Sequence, residues 1–552
     1  MTAVHAAVAS PPADAARPAP AAARRRFRLD RVELACLAFL VLTAFTVLVA
    51  LLSKGRPLSG ADGMLAADQL QYLSWIREAS HHVLIGNRYD LAPGPRAFLH
   101  PGFAISGGLH ALGLSVPLSY LIWKPVAIGV LFTGVLAYVR RLSPPGGQRH
   151  AALVLALFAV MPAVWIGWWF GLADGPDKYR LDFISGEMWT GQYLWGYLMT
   201  AIAVGLLPLV LLAYERGRIG WAAAGALLLC WLQPWQGVTL GLIVVAVEAW
   251  RWRRSGTRPP LGRVIAVGAG LAIPVVYYFW LSHYDPAWEL AGEANQAGAF
   301  PEWRWPWWMV VAVLAPLAVP AALAYRLRAD SWQEQAVRVW PLAILTVYLA
   351  LDLLPVGTFP YHAFQGLTIP LAILAVQGAR TVWRRPSVAV VVPLLVFMTL
   401  PGLAHKLEVA FNSIRSAGDP FWIFPDEHRA LDFIEADRRP GGVVSPTYAG
   451  YMVPYTTGRE SYIGQFSWTP EWKTRQKLVD GLAHGTITGA AAREVVRDSH
   501  ARFVFVDCRP GLADLDGSLG PMLERTVRFG CASVYVVRER PDMARAAGAP
   551  DE

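Results

Sequence analysis

Residues 61–100 read ADGMLAADQLQYLSWIREASHHVLIGNRYDLAPGPRAFLH. They follow a continuous apolar run, LACLAFLVLTAFTVLVALL at 34–52, long enough to cross a bilayer core of ~30 Å as one helix. Carboxylates, histidines, arginines and aromatics therefore gather where the chain leaves the membrane. Within the stretch Asp68, Gln69, Tyr72, Ile76 and Arg77 recur at helical spacing. Leu65, Tyr72, Ile76 and Ala79 form one face of a short helix on the membrane surface. Asp68 falls at the start of that helix, where the peptide dipoles favour a carboxylate. It is either an N-cap that closes the helix or an acid–base group facing the interface.

Composition sets the class. The 552 residues are 55% apolar and 16% charged, with mean hydropathy +0.36. Soluble proteins carry roughly a quarter charged residues, so this is a polytopic membrane protein. The net charge of +9 reads as arginines in cytoplasmic loops, not as a nucleic-acid surface. The four cysteines show no zinc-type spacing. His81, His82, His100 and His110 are too irregularly spaced for a metal motif.

Further apolar spans fall at 116–139, 150–170, 193–214, 219–232, 236–250, 262–283, 306–325, 337–354, 361–379 and 387–404. The pair 219–232 and 236–250 is split by Gln233-Pro234-Trp235, which predicts two half-length helices meeting near a cavity. The segment 98–113 is short and glycine-rich and reads as a surface or re-entrant helix. Alternate loops carry Arg140, Arg141, Arg216, Arg218, Arg253, Arg254, Arg326, Arg328, Arg380 and Arg384, while the opposite loops carry Asp174, Asp177, Asp182, Glu187, Asp285 and Glu289. The positive-inside rule then gives about eleven spans, the N-terminus cytoplasmic and the C-terminus outside.

The expected organisation is a disordered cytoplasmic tail at 1–30, a transmembrane domain at 31–404 with a large first outer loop at 53–115, an extracytoplasmic α/β domain at 405–540, and a disordered tail at 541–552. In the α/β domain, 426–438, 470–483 and 489–499 read as helices, and Val443-Val444, 503–506 and 534–537 as strands. Cys508 ends one strand and Cys531 precedes another, so an oxidising outer compartment allows them to pair.

The polar candidates converge on the outer side: Asp62 and Asp68 in the first loop, Asp174, Asp177 and Glu187 in the second, Gln296 in a later loop, and His362 at the start of a span. Lys124 lies just inside a span, where a charge marks a site unless it snorkels to the interface.

Asp68, Tyr72, Ile76 and Arg77 together resemble the acidic D-x-x-x-Y-x-x-x-I-R-type opening of the first outer loop in the GT-C superfamily of membrane glycosyltransferases. Leu99-His100-Pro101, Gln233-Pro234-Trp235, Phe364-Gln365-Gly366 with Ile369-Pro370-Leu371, and Thr457-Gly458-Arg459 with Tyr462, Gly464 and Trp468-Thr469 resemble further positions of its bacterial branch. The chain departs from the family in lacking an Asp-Asp, Asp-Glu or D-x-D pair at Asp68, and in carrying Gln233 where a His is common. The resemblance implies a GT-C-like fold and transfer of a sugar from a polyprenyl-phosphate donor to a glycan, lipid or protein acceptor at the outer face of the cytoplasmic membrane. Asp68 would be the general base. Lys124, Arg77, Arg459 or a divalent metal would stabilise the departing phosphate. Asp62, Tyr72, His100, Asp174, Asp177, Glu187, Gln296 and His362 complete the expected substrate-binding set. Two other readings stay open: a transporter or flippase of a lipid-linked sugar, and a non-catalytic subunit of a cell-envelope complex.

Overall fold

The computed structural model describes residues 28–538 apart from 64, 93, 257, 296–304, 355–357, 384–386 and 416–419. Most of the N-terminal tail, the whole C-terminal tail and Gln296 lie outside the described residues. Every apolar stretch read as a span is helical. The first is α1 (Arg31–Leu52), opened by a capping box in which Asp30 accepts from the Val32 and Glu33 amides and Glu33 answers to the Asp30 amide. The surface helices α2 (Ala66–Ala79) and α3 (Pro101–Ala111) follow. Then come α4 (Val116–Leu121) with α5 (Trp123–Leu142), and α6 (Gly147–Phe158) with α7 (Pro162–Trp169), the latter pair bent by 55°. Helix α8 (Gly175–Met188) precedes α9 (Leu198–Glu215), α10 (Ile219–Leu232), α11 (Pro234–Ser255), α12 (Leu261–Tyr284) and α13 (Pro286–Asn295). The helical body ends with α14 (Trp307–Leu323), α15 (Trp332–Leu353), α16 (Thr368–Val382) and α17 (Val388–Arg415).

Seven of these helices are long and apolar enough to cross a membrane, or eight if the bent pair is one span. The protein is a polytopic helical membrane protein. Small residues let its helices touch: a Cβ on Gly134 of α5 would lie 2.0 Å from the Gly205 carbonyl of α9, so these backbones meet directly.

Three stretches differ from expectation. The break at Gln233 separates one short helix of 14 residues from one of 22, so only the first half is short. Pro234 takes the first helical position, where its missing N–H is harmless. The acidic loop between α7 and α9 contains a full helix, α8. Its buried Leu181, Ile184 and Met188 share one face, a stripe its charged residues hide. The start of the span expected at 361–379 is a separate 3-10 turn (Pro360–Phe364) before α16.

Helix α17 runs on to Arg415. Beyond it α18 (Pro425–Ala436), β1 (Val443–Val444), α19 (Thr447–Gly450), α20 (Val453–Thr457), α21 (Trp472–Ala483), α22 (Gly489–Asp498), β2 (Phe503–Val506), α23 (Asp516–Leu519), β3 (Leu523–Phe529) and β4 (Ala532–Val537) build a small α/β unit. Its sheet runs β1-β2-β4-β3, parallel at β1–β2 and antiparallel elsewhere. Alternation along the strands sends Phe503, Phe505, Val534 and Val536 into the core shared with α18 and the helical body, and Val504, Val506, Tyr535 and Val537 into a second core with α21 and α22. Strand β3 escapes the sequence reading because LERTVRF carries three charges on an exposed edge. Cys508 and Cys531 are joined, their Cα atoms 4.9 Å apart.

The α/β unit is fastened to the first loop. Arg77 of α2 donates to the carbonyls of Tyr455 (3.0 Å) and Thr456 (2.6 Å) and pairs with Glu435 at 2.5 Å. Arg88 pairs with Glu460 at 2.6 Å, and Arg475 with Asp90 at 3.0 Å.

Candidate active site at the start of the first-loop helix

Asp68 does not cap α2: the N-cap position is Leu65, which makes no side-chain cap bond. The Asp68 carboxylate instead receives two neutral donors from distant parts of the chain. The Tyr197 hydroxyl donates to Oδ2 at 2.7 Å, and the Gln465 amide donates to Oδ1 at 3.1 Å. Tyr197 precedes α9. Gln465 belongs to the α/β unit and is itself fixed by the Ser467 amide and hydroxyl, each 2.7 Å from its Oε1. The site is thus shared between the helical body and the C-terminal unit.

Below Asp68 lies an aromatic floor. Tyr72, one turn along α2, has its ring centroid 5.3 Å from Phe103, 6.0 Å from Tyr120 and 6.2 Å from Tyr197. Trp468 closes the side, edge-on to Trp75 and Trp288 at 5.2 and 5.3 Å. Burial, then the charge of Asp68, and after Tyr120 that of Glu187, push the Tyr72 phenol well above its ordinary range.

Glu187 comes from the last turn of α8, which is pinned to α17 by Asp182 through Lys406 at 2.8 Å and His405 at 3.0 Å. Its Oε2 accepts from the Gln365 amide at 3.2 Å and faces His362 Nδ1 at 3.4 Å. The Gln365 carbonyl accepts from Gln236 at 2.8 Å, in the first turn of α11, so the helix break at Gln233 braces this cluster. His362 is 35% exposed while Glu187 is only 8% exposed; the cluster opens beside the imidazole.

The other expected residues lie elsewhere. Asp62 and Lys124 form a sealed pair at 2.5 Å, both side chains fully buried. Lys124 also donates to the carbonyls of Ala44 (3.0 Å) and Leu194 (2.6 Å), and Asp62 accepts from Gln69 at 3.0 Å. This pair locks α1, α5 and the first loop and leaves no free ammonium for a phosphate. Arg77 is the clasp to the α/β unit described above. Arg459 is inside that unit, donating to the carbonyls of Ile434, Asp437, Arg439 and Gly441. His100 caps α3, accepting from the Phe103 amide at 3.3 Å, and burial pushes its pKa down to about 4. Asp174 is exposed at the far end of α8, and Asp177 pairs with Arg180 at 3.0 Å. Of the expected set, Asp68 and Tyr72 meet around Tyr197, and Glu187 and His362 meet beside Gln365.

Tyr197, Gln365 and Gln465 complete the cluster and were not singled out as site residues. Gln365 falls inside a motif that carries the family resemblance, and Gln465 lies beside Gly464 of another; Tyr197 has no such flag. For a metal, the cluster offers carboxylate oxygens and side-chain amides, which suit a hard divalent ion. Asp426, Cys508 and Cys531 also sit within 4.8 Å of one another, but the sulfurs are bonded to each other and supply no thiolate.

No family model and no curated protein matches the sequence. Solved structures do match. The arabinofuranosyltransferase AftD from mycobacteria superposes with TM-score 0.54 at 13% identity, over 92% of this chain and 40% of that one. The oligosaccharyltransferase of Archaeoglobus fulgidus in its apo form gives 0.50 at 11%, over 86% and 69%. ArnT from Cupriavidus metallidurans bound to undecaprenyl phosphate gives 0.48 at 13%, over 92% and 98%. The likeness is one of fold: the chain has the fold of the GT-C membrane glycosyltransferases.

Proposed function

We propose that the protein is a membrane glycosyltransferase. It transfers a sugar from a polyprenyl-phosphate donor to an acceptor hydroxyl at the outer face of the cytoplasmic membrane, with Asp68 as general base. The observation that carries this reading is the setting of Asp68: a carboxylate in the first turn of α2, oriented by two neutral donors beside a cluster of aromatic rings. Neutral donors orient the carboxylate without neutralising it, which suits a base that must take a proton from a hydroxyl. The acceptor oxygen would attack the anomeric carbon as its proton passes to Asp68. The bond from that carbon to the phosphate oxygen breaks, and its electron pair leaves with the polyprenyl phosphate. A single displacement inverts the anomeric centre. Tyr72, half-buried beside Asp68, would offer the flat apolar face against which a sugar ring packs.

The cations first expected to meet the phosphate, Lys124, Arg77 and Arg459, are committed to other partners. Glu187, whose carboxylate is held by Gln365 and His362, would be the carboxylate to hold a divalent ion, which when bound supplies the positive charge that a leaving phosphate needs. His362, beside Glu187, marks the entrance and would contact the acceptor or the phosphate.

The test is Asp68→Asn in the full-length protein, reconstituted with a membrane lipid extract containing lipid-linked sugars. Polyprenyl phosphate release is the readout, because that product is common to every donor sugar. The expected loss is at least ~100-fold, the usual worth of a positioned acid–base group, with thermal unfolding unchanged. Release near the unsubstituted rate would overturn the assignment of the base.

A further inference from the structure

We propose that a cavity where the first and last spans reach the α/β unit binds the phosphate group of an anionic membrane phospholipid. The chain leaving α1 runs antiparallel to the chain entering the α/β unit: the Ser59 amide donates to the Phe421 carbonyl at 2.9 Å, and the Ile423 amide to that of Pro57 at 3.0 Å. Between this strap and α18 is a cavity of about 290 Å³, lined by Arg56, Arg415, Trp422, Pro425 and Tyr448 among others. Arg56 directly follows a short Ser53-Lys54-Gly55 exit from α1 and Arg415 is the last residue of α17, so both residues stand at the level where a span ends. That is the depth of lipid headgroups.

The charge is uncompensated. Neither Arg56 nor Arg415 pairs with a carboxylate among the described residues. Arg56 lies over the Trp422 indole, 5.7 Å from its centroid. Among the described residues, the carboxylates next in sequence are engaged: Asp426 with Arg429 at 2.5 Å, and Glu427 with the amides of Phe424 (2.9 Å) and Cys508 (3.1 Å). Two unpaired arginines in one cavity call for an anion with several acceptor oxygens. In the last turn of α1, a few residues before Arg56, Val49 and Leu52 are 60% and 58% exposed, an apolar surface against which an acyl chain can lie. A phospholipid satisfies both features; free phosphate satisfies only the first. This site is separate from Asp68 and does not depend on the reaction assigned there.

Native mass spectrometry of the full-length protein in detergent, titrated with phosphatidylglycerol, tests it. Each arginine near a lipid surface contributes roughly fivefold in affinity, so Arg56→Gln with Arg415→Gln should weaken phosphatidylglycerol about thirtyfold. Arg253→Gln with Arg254→Gln, at the end of α11, should leave it unchanged. Phosphatidylcholine should bind more weakly than phosphatidylglycerol, and inorganic phosphate should not displace the lipid. The proposal is overturned by undiminished binding in the Arg56/Arg415 variant, by an equal loss in the Arg253/Arg254 variant, by equal affinity for phosphatidylcholine, or by displacement with inorganic phosphate. Arg415→Gln alone, with an expected fivefold loss, serves where the double variant fails to fold.

Discussion

Lys124→Met isolates what the buried pair does. The substitution keeps the length of the side chain and removes its charge. In the native protein the ammonium meets Asp62 at 2.5 Å and two backbone carbonyls, with no solvent access to either partner. Without it the Asp62 carboxylate keeps one side-chain donor, Gln69, and the carbonyls of Ala44 and Leu194 lose theirs. Breaking a buried pair from one side costs about 3–5 kcal/mol, or roughly 10²–10⁴-fold in the ratio of folded to unfolded protein. Thermal unfolding in detergent should therefore show a large drop for Lys124→Met, with most of it restored by Asp62→Asn in the same chain, since the pair is then replaced by neutral groups. Membrane proteins often unfold irreversibly, so half-lives at fixed temperature are the safer readout. A Lys124→Met protein as long-lived as the parent but unable to release polyprenyl phosphate would refute this reasoning and return Lys124 to the substrate.

Gln465→Ala should slow polyprenyl phosphate release about tenfold at unchanged stability, because it removes one orienting bond of about 1.4 kcal/mol from Asp68; an unaltered rate argues that the α/β unit is not part of the site. Cys508→Ser should lower the stability of the α/β unit by ~3 kcal/mol, the worth of closing a loop of this length, seen as earlier proteolysis beyond Arg415. Burial raises Glu427 to about 7, against its ordinary 4.5. A carboxyl raised on folding contributes most where it is protonated in both states, so this contribution falls as the pH rises from about 4.5 to 7. Glu427→Gln should flatten that part of the stability profile, and an unchanged slope would show that Glu427 does not titrate there.

Long apolar runs made the helical body legible, since a helix in lipid announces itself in composition. Helix α8 was hidden because Asp177, Lys178, Arg180 and Asp182 interrupt the apolar stripe that packs it. Asp68 could be located from its place at a helix start beside a span. The fates of Lys124 and Arg459 could not be read, because their partners are largely backbone carbonyls, and any residue has one. A cation is available to a substrate only if nothing nearer satisfies it, and that is a property of the packed chain. Tyr197 and Gln465 were out of reach for a related reason: no motif marks Tyr197, only the neighbouring Gly464 marks Gln465, and both matter only through Asp68.

The hydrogen bond from Gln465 to Asp68 spans 397 positions of the chain. At roughly 5–20 residues per second, a ribosome takes on the order of half a minute to a minute to travel from one to the other. For that interval the nascent protein has Asp68 but not the donor that aims it. Under the proposed function, activity would be deferred until synthesis is nearly finished, and a truncated chain lacking the final unit should embed in the bilayer without releasing polyprenyl phosphate.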